Sequence, residues 1–394
     1  MALARFGARE DGGVDRPALS AIEIEARAQI VAWAREIGLK PFTDRMANLF
    51  LRLEGRDPHL PPVLAGSHID SQPTGGKFDG VFGVLAAHES VQAIIANGEQ
   101  PLRPIEIVAW TNEEGSRFAP GMPGSEVFAG RKTLDEAYAS RDQAGILQGD
   151  AVRDVLARDV DIPLRDFGFP VHAYIEPHIE QGPLLEAAGI PIGIVTGIQG
   201  TRRYRVRVIG EAAHAGTALR TERRDALMAA VRMIAEIDRA ALKPDDIKLT
   251  VGLFQVTPNA PSVVPSEVLF SIDLRHPEND IVDDMDRRIR DIVEAQRGPC
   301  AAEIRQIAHA PSLAFASEIR SLIAAAADSE KIPAMDIYSA AGHDTRQLHY
   351  VCTSGMIFVP CRAGISHNPA EWAEPAHIAA GARVLTNVIW QLAR

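Results

Sequence analysis

The sequence predicts an α/β protein: an open, mixed-sheet catalytic domain interrupted by an inserted ferredoxin-like α+β domain. Three observations predict it. An apolar segment, Pro62 to Ala65, runs into the turn-rich stretch Gly66-Ser-His68-Ile-Asp70-Ser-Gln-Pro-Thr-Gly-Gly-Lys-Phe-Asp79-Gly80. An apolar stripe at helical spacing follows, through Val81, Val84, Leu85, His88, Val91, Ile94 and Ile95. Strand, glycine-rich loop, helix is how an open α/β sheet frames a site outside the carboxyl ends of its strands. At about residue 198 the texture changes: Tyr204, Val206 and Val208 alternate with Arg203, Arg205 and Arg207, as in a half-buried antiparallel strand. After Pro311 the α/β texture resumes.

The elements follow in order. Residues 18–38 read as a helix, with Ala21, Ile24, Ala28, Ile30, Val31 and Ala34 at mixed three and four spacing and Gly38 closing it. Segments 46–53 and 62–67 read as strands and 80–98 as a helix. Gly75, Gly76 and Gly80 are expected to allow positive-φ turns and close backbone approach, and no nucleotide-binding glycine motif is present. Ile105 to Trp110 is the next strand, and a loop rich in proline and glycine runs from Ala119 to Gly124. Two charge-rich amphipathic helices fill 133–158, and Val171 to Glu176 is another strand. In the second region a helix at 223–240, strands at 247–256 and 267–275, a helix at 280–297 and a strand at 301–308 give the order βαββαβ. A helix at 317–328, the apolar strand Gly355 to Val359 and a helix at 375–393 complete the first domain. The expected division is 1–198 with 309–394, and 199–308 inserted.

Composition narrows the function. A 394-residue chain with 46% hydrophobic and 24% charged residues is ordinary for a globular protein. Its formal net charge of −11 argues against nucleic acid as the main partner. Cys300, Cys352 and Cys361 form no C-x-x-C pair, which fits a reducing cytoplasm. No apolar run reaches membrane-spanning length, and the N-terminus lacks a signal-peptide core.

Four segments that follow apparent strands each carry a metal-competent group: His68 and Asp79, Glu113 and Glu114, His178 and Glu180, and His367. His343-Asp344 adds a fifth. Histidine and carboxylate without cysteine suit zinc, manganese, cobalt or nickel at a catalytic site rather than a structural sulfur site. Taken singly, a loop histidine is more often a hydrogen-bonded surface group, and a Glu-Glu pair a solvated edge. Asp70 reads either as a loop cap or as a partner orienting His68. His59, His88, His172, His276, His309 and His349 are assigned no site role.

The motifs Gly66-Ser-His68-Ile-Asp70, Phe78-Asp79-Gly80, Thr111-Asn-Glu113-Glu114-Gly, His178-Ile-Glu-Gln181-Gly, Ala213-His214-Ala-Gly-Thr217, Gly342-His343-Asp344 and Ile365-Ser-His367-Asn-Pro resemble the N-carbamoyl-L-amino-acid amidohydrolase and allantoate amidohydrolase family. This is a branch of the dimetal aminoacylase and carboxypeptidase superfamily. The resemblance spans residues 66 to 371 in the family's order. It implies two divalent ions, zinc most commonly, with manganese, cobalt or nickel as alternatives. Asp79 would bridge them, with His68 and His178 completing one site and Glu114 and His367 the other. Glu113 would be the general base and His214 the oxyanion stabiliser. Gln181, Arg203, Asn259, Ser262, Arg275, Gly342 and His343 would contact substrate. The inserted domain would act as a lid and join a cytoplasmic homodimer. The implied reaction is hydrolysis of a linear carbamoyl or ureido C–N bond in a small carboxylate, most simply an N-carbamoyl-L-amino acid. Allantoate or ureidoglycolate hydrolysis is the alternative, then aminoacylase or dipeptidase activity, or a binding protein that kept the fold. Ser262 stands where the family usually has asparagine, and Ala218 where it often has proline; the first change alters the hydrogen bonds offered to substrate.

Overall fold

All six residues of Val63–His68 and all six of Ile105–Trp110 are buried. Strands hidden on both faces need cover on both sides, which is the α/β solution. The computed structural model describes residues 1–243 and 247–394. Its chain divides into one unit of Met1–Thr196 with Phe315–Arg394 and a second of Gly197–Ala314.

The first unit begins with α1 (Ala21–Glu36), β1 (Lys40–Thr43), β2 (Leu49–Leu53), β3 (Val63–His68), α2 (Val81–Ala96) and β4 (Ile105–Trp110). Then come α3 (Pro123–Phe128), α4 (Leu134–Tyr138), α5 (Gln148–Arg158), β5 (Ala173–Ile179), α6 (Leu184–Ala188) and β6 (Ile192–Ile198). The second unit supplies β7 (Gly200–Ile209), β8 (Ala213–His214), α7 (Ala226–Ala241), β9 (Lys248–Thr250), β10 (Phe254–Thr257), β11 (Val263–Val264), β12 (Glu267–His276), α8 (Asn279–Gln296), β13 (Ala301–Ala310) and β14 (Leu313–Ala314). The first unit resumes with α9 (Ser317–Ser329), β15 (Ala334–Ser339), α10 (Thr345–Leu348), β16 (Thr353–Val359) and α11 (Pro375–Ala393).

The large sheet runs β1-β2-β4-β3-β5-β16-β6, with β15 also paired to β6. β4, β3, β5 and β16 are mutually parallel, and β2 and β6 flank them antiparallel. One sheet face, with Ala65, Ile107, Ile175 and Ile357, packs on α2, α9 and α11 through Val84, Val91, Ile323, Val384 and Val388. The other face carries Phe50, Leu64, Val108, Trp110 and Tyr174 against Phe128 and Leu348. The polar ends of these rings are satisfied: Trp110 Nε1–H donates to the Tyr174 hydroxyl at 3.0 Å, which donates to the Gly66 carbonyl at 3.1 Å. The parallel strands therefore end together, and their carboxyl ends lead into the predicted site residues.

Gly66 lies in β3 opposite Val108 with φ of 152°, and a Cβ there would sit 1.9 Å from the Val108 carbonyl oxygen. Gly66→Ala is expected to destabilise the protein by about 3 kcal/mol or more, because both the backbone conformation and the β3–β4 ladder must distort. Thermal unfolding measures this; an unchanged midpoint would contradict the packing described.

The second unit follows the expected βαββαβ order in β7, α7, β12, α8 and β13, with β9 and β10 in place of the single strand expected between α7 and β12. Its sheet runs β10-β12-β7-β13 with β9 also on β12, every pairing antiparallel. Tyr204, Val206, Val208, Phe270 and Ile272 face Met233 and Ile237 of α7 and Met285 and Ile289 of α8.

Three local readings differ. The strand expected at 247–256 is two strands, β9 and β10, separated around Gly252. β1, β6 and β15 were not anticipated, nor were the short elements β8, β11, β14, α3, α6 and α10. β5 continues past Glu176 to Ile179, so His178 sits within a strand rather than in the loop after it. Among the described residues, no helix is long and apolar enough to cross a membrane.

Candidate metal centre

Asp79 is the hub, and the local sequence puts it there. Gly80, at φ 63°, turns the chain from the loop into α2. A Cβ at Gly80 would meet the His68 ring at 2.4 Å, so only glycine lets the histidine lie beside the loop. Gly75 and Gly76 do not take up positive φ, contrary to expectation. Gly76 serves close approach instead, since a Cβ there would lie 2.1 Å from the Glu371 carboxylate.

The two carboxylate oxygens of Asp79 face different partners. Oδ1 lies 3.5 Å from His68 Nε2 and 3.2 Å from His178 Nε2. Oδ2 lies 3.4 Å from His367 Nε2, which is itself 3.3 Å from Glu114 Oε2. Among the described residues two groups that could each hold a metal ion result, the candidate ligand groups His68–Asp79–His178 and Asp79–Glu114–His367, each with donor atoms within 4.8 Å of one another. The first is wholly buried. In the second His367 is 48% exposed, so this side opens toward solvent.

The donor chemistry fits two divalent ions. His68 Nδ1 lies 3.0 Å from the Asp70 carbonyl and His178 Nδ1 2.9 Å from the Ile179 carbonyl, contacts that place the proton on Nδ1. Nε2 of each ring then carries the lone pair, and the Gly80 N–H pointing at His178 Nε2 at 3.1 Å agrees. Neutral imidazoles and carboxylates, without thiolate, suit zinc and its neighbours.

Without cations the buried carboxylates draw positive charge onto the site. Burial pulls the His68 pKa down, but Glu113, Asp70 and Asp79 outweigh it and hold it well above the usual histidine value. Burial pushes Asp79 up, yet His178 and His68 hold it well below the carboxylate range. Burial and the Asp79 charge push Glu114 up to about 8. Burial, with Asp344, Glu114 and Asp70 nearby, holds Glu113 well above the ordinary range despite His68. So many buried carboxylates repel one another in the absence of cations.

Glu113 belongs to neither ligand group. Its Oε2 is 3.6 Å from His68 Nε2 and it is nearly buried. Asp70 fixes the backbone beneath both glutamates: its carboxylate oxygens accept the N–H groups of Glu113 and Glu114, each at 3.2 Å. Asp70 thus both caps a loop and, through its carbonyl, orients His68. Gln72 Nε2 donates to Glu114 Oε2 at 2.8 Å. Asn112, Gln181 and His367 all have φ between 53° and 58°. Such strain gathers at functional loops.

Other predicted residues fall as follows. Gln181 Nε2 donates to Asp79 Oδ2 at 2.8 Å. His343 is buried, its ring centroid 4.5 Å from that of His178 and its Nε2 3.1 Å from Ser339 Oγ, while Gly342 is exposed. Neither His343 nor Asp344 enters a ligand group; Asp344 Oδ1 accepts the Ser125 hydroxyl. Glu180 is not a ligand either, because its two oxygens cap α6 by accepting Leu184 N–H at 2.8 Å and Leu185 N–H at 2.9 Å.

In the second unit, β8 pairs with β11, and the Ala215 N–H donates to the Ser262 carbonyl at 3.0 Å, so His214 and Ser262 are neighbours. His214 is exposed, and its Nδ1 accepts the Gly216 N–H at 3.1 Å. Asn259 is exposed at φ 58°. Arg203 and Arg275 converge on Asp273, with Arg203 Nε 2.8 Å from Oδ2 and Arg275 Nε 2.7 Å from Oδ1. Burial pushes Asp273 up, but Arg275 and then Arg203 outweigh it and hold its carboxyl below the ordinary range.

Sequence reasoning did not single out Gln72, Glu176 or Ser366. Glu176, fully buried, accepts Ser67 Oγ–H at 2.7 Å and Thr345 N–H at 2.8 Å, tying β3 and α10 to β5. Ser366 and Glu371 flank His367 in one motif, and that adjacency was the available signal.

Comparison with known proteins gives a consistent picture. The family model described as peptidase family M20/M25/M40 matches residues 64–391. An N-carbamoyl-L-amino-acid amidohydrolase of Rhizobium meliloti is 37% identical over 399 residues, covering 100% of this chain and 94% of that protein. One of Geobacillus stearothermophilus is 38% identical over 400 residues, covering 100% and 97%. A crystal structure of an amidase of the hydantoinase/carbamoylase family from Burkholderia multivorans superposes with a TM-score of 0.91 at 41% identity, covering 100% of this chain and 96% of that one.

Proposed function

This chain belongs to peptidase family M20/M25/M40, and from that premise we propose that it is a metal-dependent amidohydrolase. It cleaves a linear carbamoyl or ureido C–N bond in a small carboxylate substrate, an N-carbamoyl-L-amino acid. The observation that carries this reading is Asp79, whose two oxygens each face a separate pair of ligands. The names of the similar amidohydrolases support the substrate class.

His68, His178 and Asp79 would hold one ion, and Asp79, Glu114 and His367 the other; zinc is the first choice, with manganese, cobalt or nickel compatible. Two such ions, when bound, polarise the scissile carbonyl and lower the pKa of the attacking water. Glu113 takes a proton from that water and delivers it to the departing nitrogen. Asp70 holds the backbone that carries Glu113 and Glu114 through two N–H bonds. For a carbamoyl amino acid, one water is consumed, and the products are the amino acid, ammonia and carbon dioxide. His214 is assigned to the developing oxyanion, and Arg275 to the substrate carboxylate. Gln181, Arg203, Asn259, Ser262, Gly342 and His343 are assigned to substrate positioning. Residues 199–308 are assigned to a lid that joins a homodimer. The unpaired cysteines support a cytoplasmic setting.

The test is product release. Protein stripped of metal and reloaded with zinc, manganese or cobalt meets N-carbamoyl-L-amino acids, allantoate, ureidoglycolate, N-acyl amino acids and dipeptides. Metal-dependent ammonia from a carbamoyl amino acid is expected, and none from the stripped protein. Ammonia from allantoate alone would move the substrate assignment. Amino-group release without ammonia would contradict the reaction proposed.

A further inference from the structure

One buried carboxylate outside both ligand groups ties the Asp79 loop to the His367 loop. Glu371 is 3% exposed. Its Oε1 accepts the Phe78 N–H at 2.8 Å and the Asp79 N–H at 3.1 Å. Its Oε2 lies 3.2 Å from Ser366 Oγ, and that hydroxyl lies 2.7 Å from Asp79 Oδ2. The Glu371 N–H donates to the Asn368 carbonyl at 3.0 Å, closing the turn that carries His367. Gly76 leaves the space that the carboxylate fills.

These contacts are asymmetric with respect to the two ligand groups. They reach Asp79 Oδ2 and the His367 loop. The other group is oriented separately, by the Asp70 and Ile179 carbonyls on the Nδ1 atoms of His68 and His178. On that side Glu371 acts only on the Asp79 backbone N–H, while Oδ1 itself meets the two rings.

We infer that Glu371 is a positioning residue that sets Asp79 Oδ2 and His367 as a pair, and so governs occupancy of the Asp79–Glu114–His367 site in particular. The inference rests on the dimetal reading above. Removing an outer hydrogen-bond partner of a metal ligand typically weakens metal binding 10- to 100-fold. That loss should fall on one ion of the two.

The experiment is a zinc titration of the stripped full-length protein against a chromophoric chelator, with bound zinc counted by elemental analysis. Wild type is expected to bind two ions. Glu371→Ala should weaken one of them by roughly 10- to 100-fold and leave the other within about threefold. Glu371→Gln should restore the weakened ion, because its amide oxygen still accepts both N–H groups and its NH2 can donate to Ser366 Oγ. Ser366→Ala leaves the two N–H bonds in place and should weaken the same ion by a smaller factor, so it carries the test if Glu371→Ala fails to fold. General loosening of the fold would lower both affinities together. Equal loss of both ions, or two ions held as in wild type, in Glu371→Ala or, should that variant not fold, in Ser366→Ala, overturns the inference. A wild type that binds fewer than two ions overturns the dimetal reading, and the inference with it.

Discussion

Glu113→Gln lowers kcat by roughly a hundred- to ten-thousand-fold, the contribution of a positioned general base, while two metal ions stay bound. The side chain keeps its volume and its place near His68, 3.6 Å away. What it loses is the ability to accept a proton. Because Glu113 lies outside both ligand groups, metal content should not change, and because an amide still fills the space, KM should move little. A fall in kcat with KM preserved marks a group whose contribution is made in the transition state. Steady-state kinetics with metal content measured on the same sample decide it. Turnover within about threefold of wild type would remove Glu113 from the mechanism, since a base is worth far more than that. Loss of metal along with activity would instead make Glu113 a ligand.

Asp79→Asn is expected to abolish turnover by another route, through the ions themselves. Asparagine offers one acceptor oxygen and one NH2 donor. Whichever way the amide turns, it faces the His68–His178 pair or the Glu114–His367 pair with a donor where an acceptor stood. At least one ion should leave. Lewis-acid stabilisation is worth several kcal/mol, which corresponds to a loss of roughly a thousand-fold or more. Elemental analysis after desalting should find one ion or none, and added zinc should not restore the rate. Two retained ions with substantial activity would show that Asp79 is no bridge.

The architecture was legible where local pattern and tertiary need agree. β3 and β4 read as strands because burial on both faces makes them continuously apolar, and α2 because its stripe has helical spacing. β1, Lys-Pro-Phe-Thr, was not legible: it is four residues long and has little apolar character. β5 was read as ending at Glu176, although a proline within a run is the only local signal against continuation. The parallel ladder with β16 carries on through Pro177 to Ile179 all the same. The candidate ligands stood out for a different reason. His68, Asp79, Glu113, Glu114, His178 and His367 lie in short motifs at strand ends, where chemistry-bearing residues stand out against apolar neighbours. The supporting contacts were not. Nothing in Glu180 distinguishes a helix cap from a ligand. Nothing in Glu371 announces that it will meet Phe78 and Asp79 almost 300 positions earlier. The role of Glu371 exists only once the Asp79 and His367 loops lie side by side.

The most direct test of the central claim, that Asp79 joins two metal sites, is anomalous diffraction from crystals of the zinc-loaded protein. Two zinc peaks are predicted. One should lie among His68, His178 and Asp79 Oδ1, and the other among Asp79 Oδ2, Glu114 and His367. A single peak, or a second peak away from Asp79, would contradict the account.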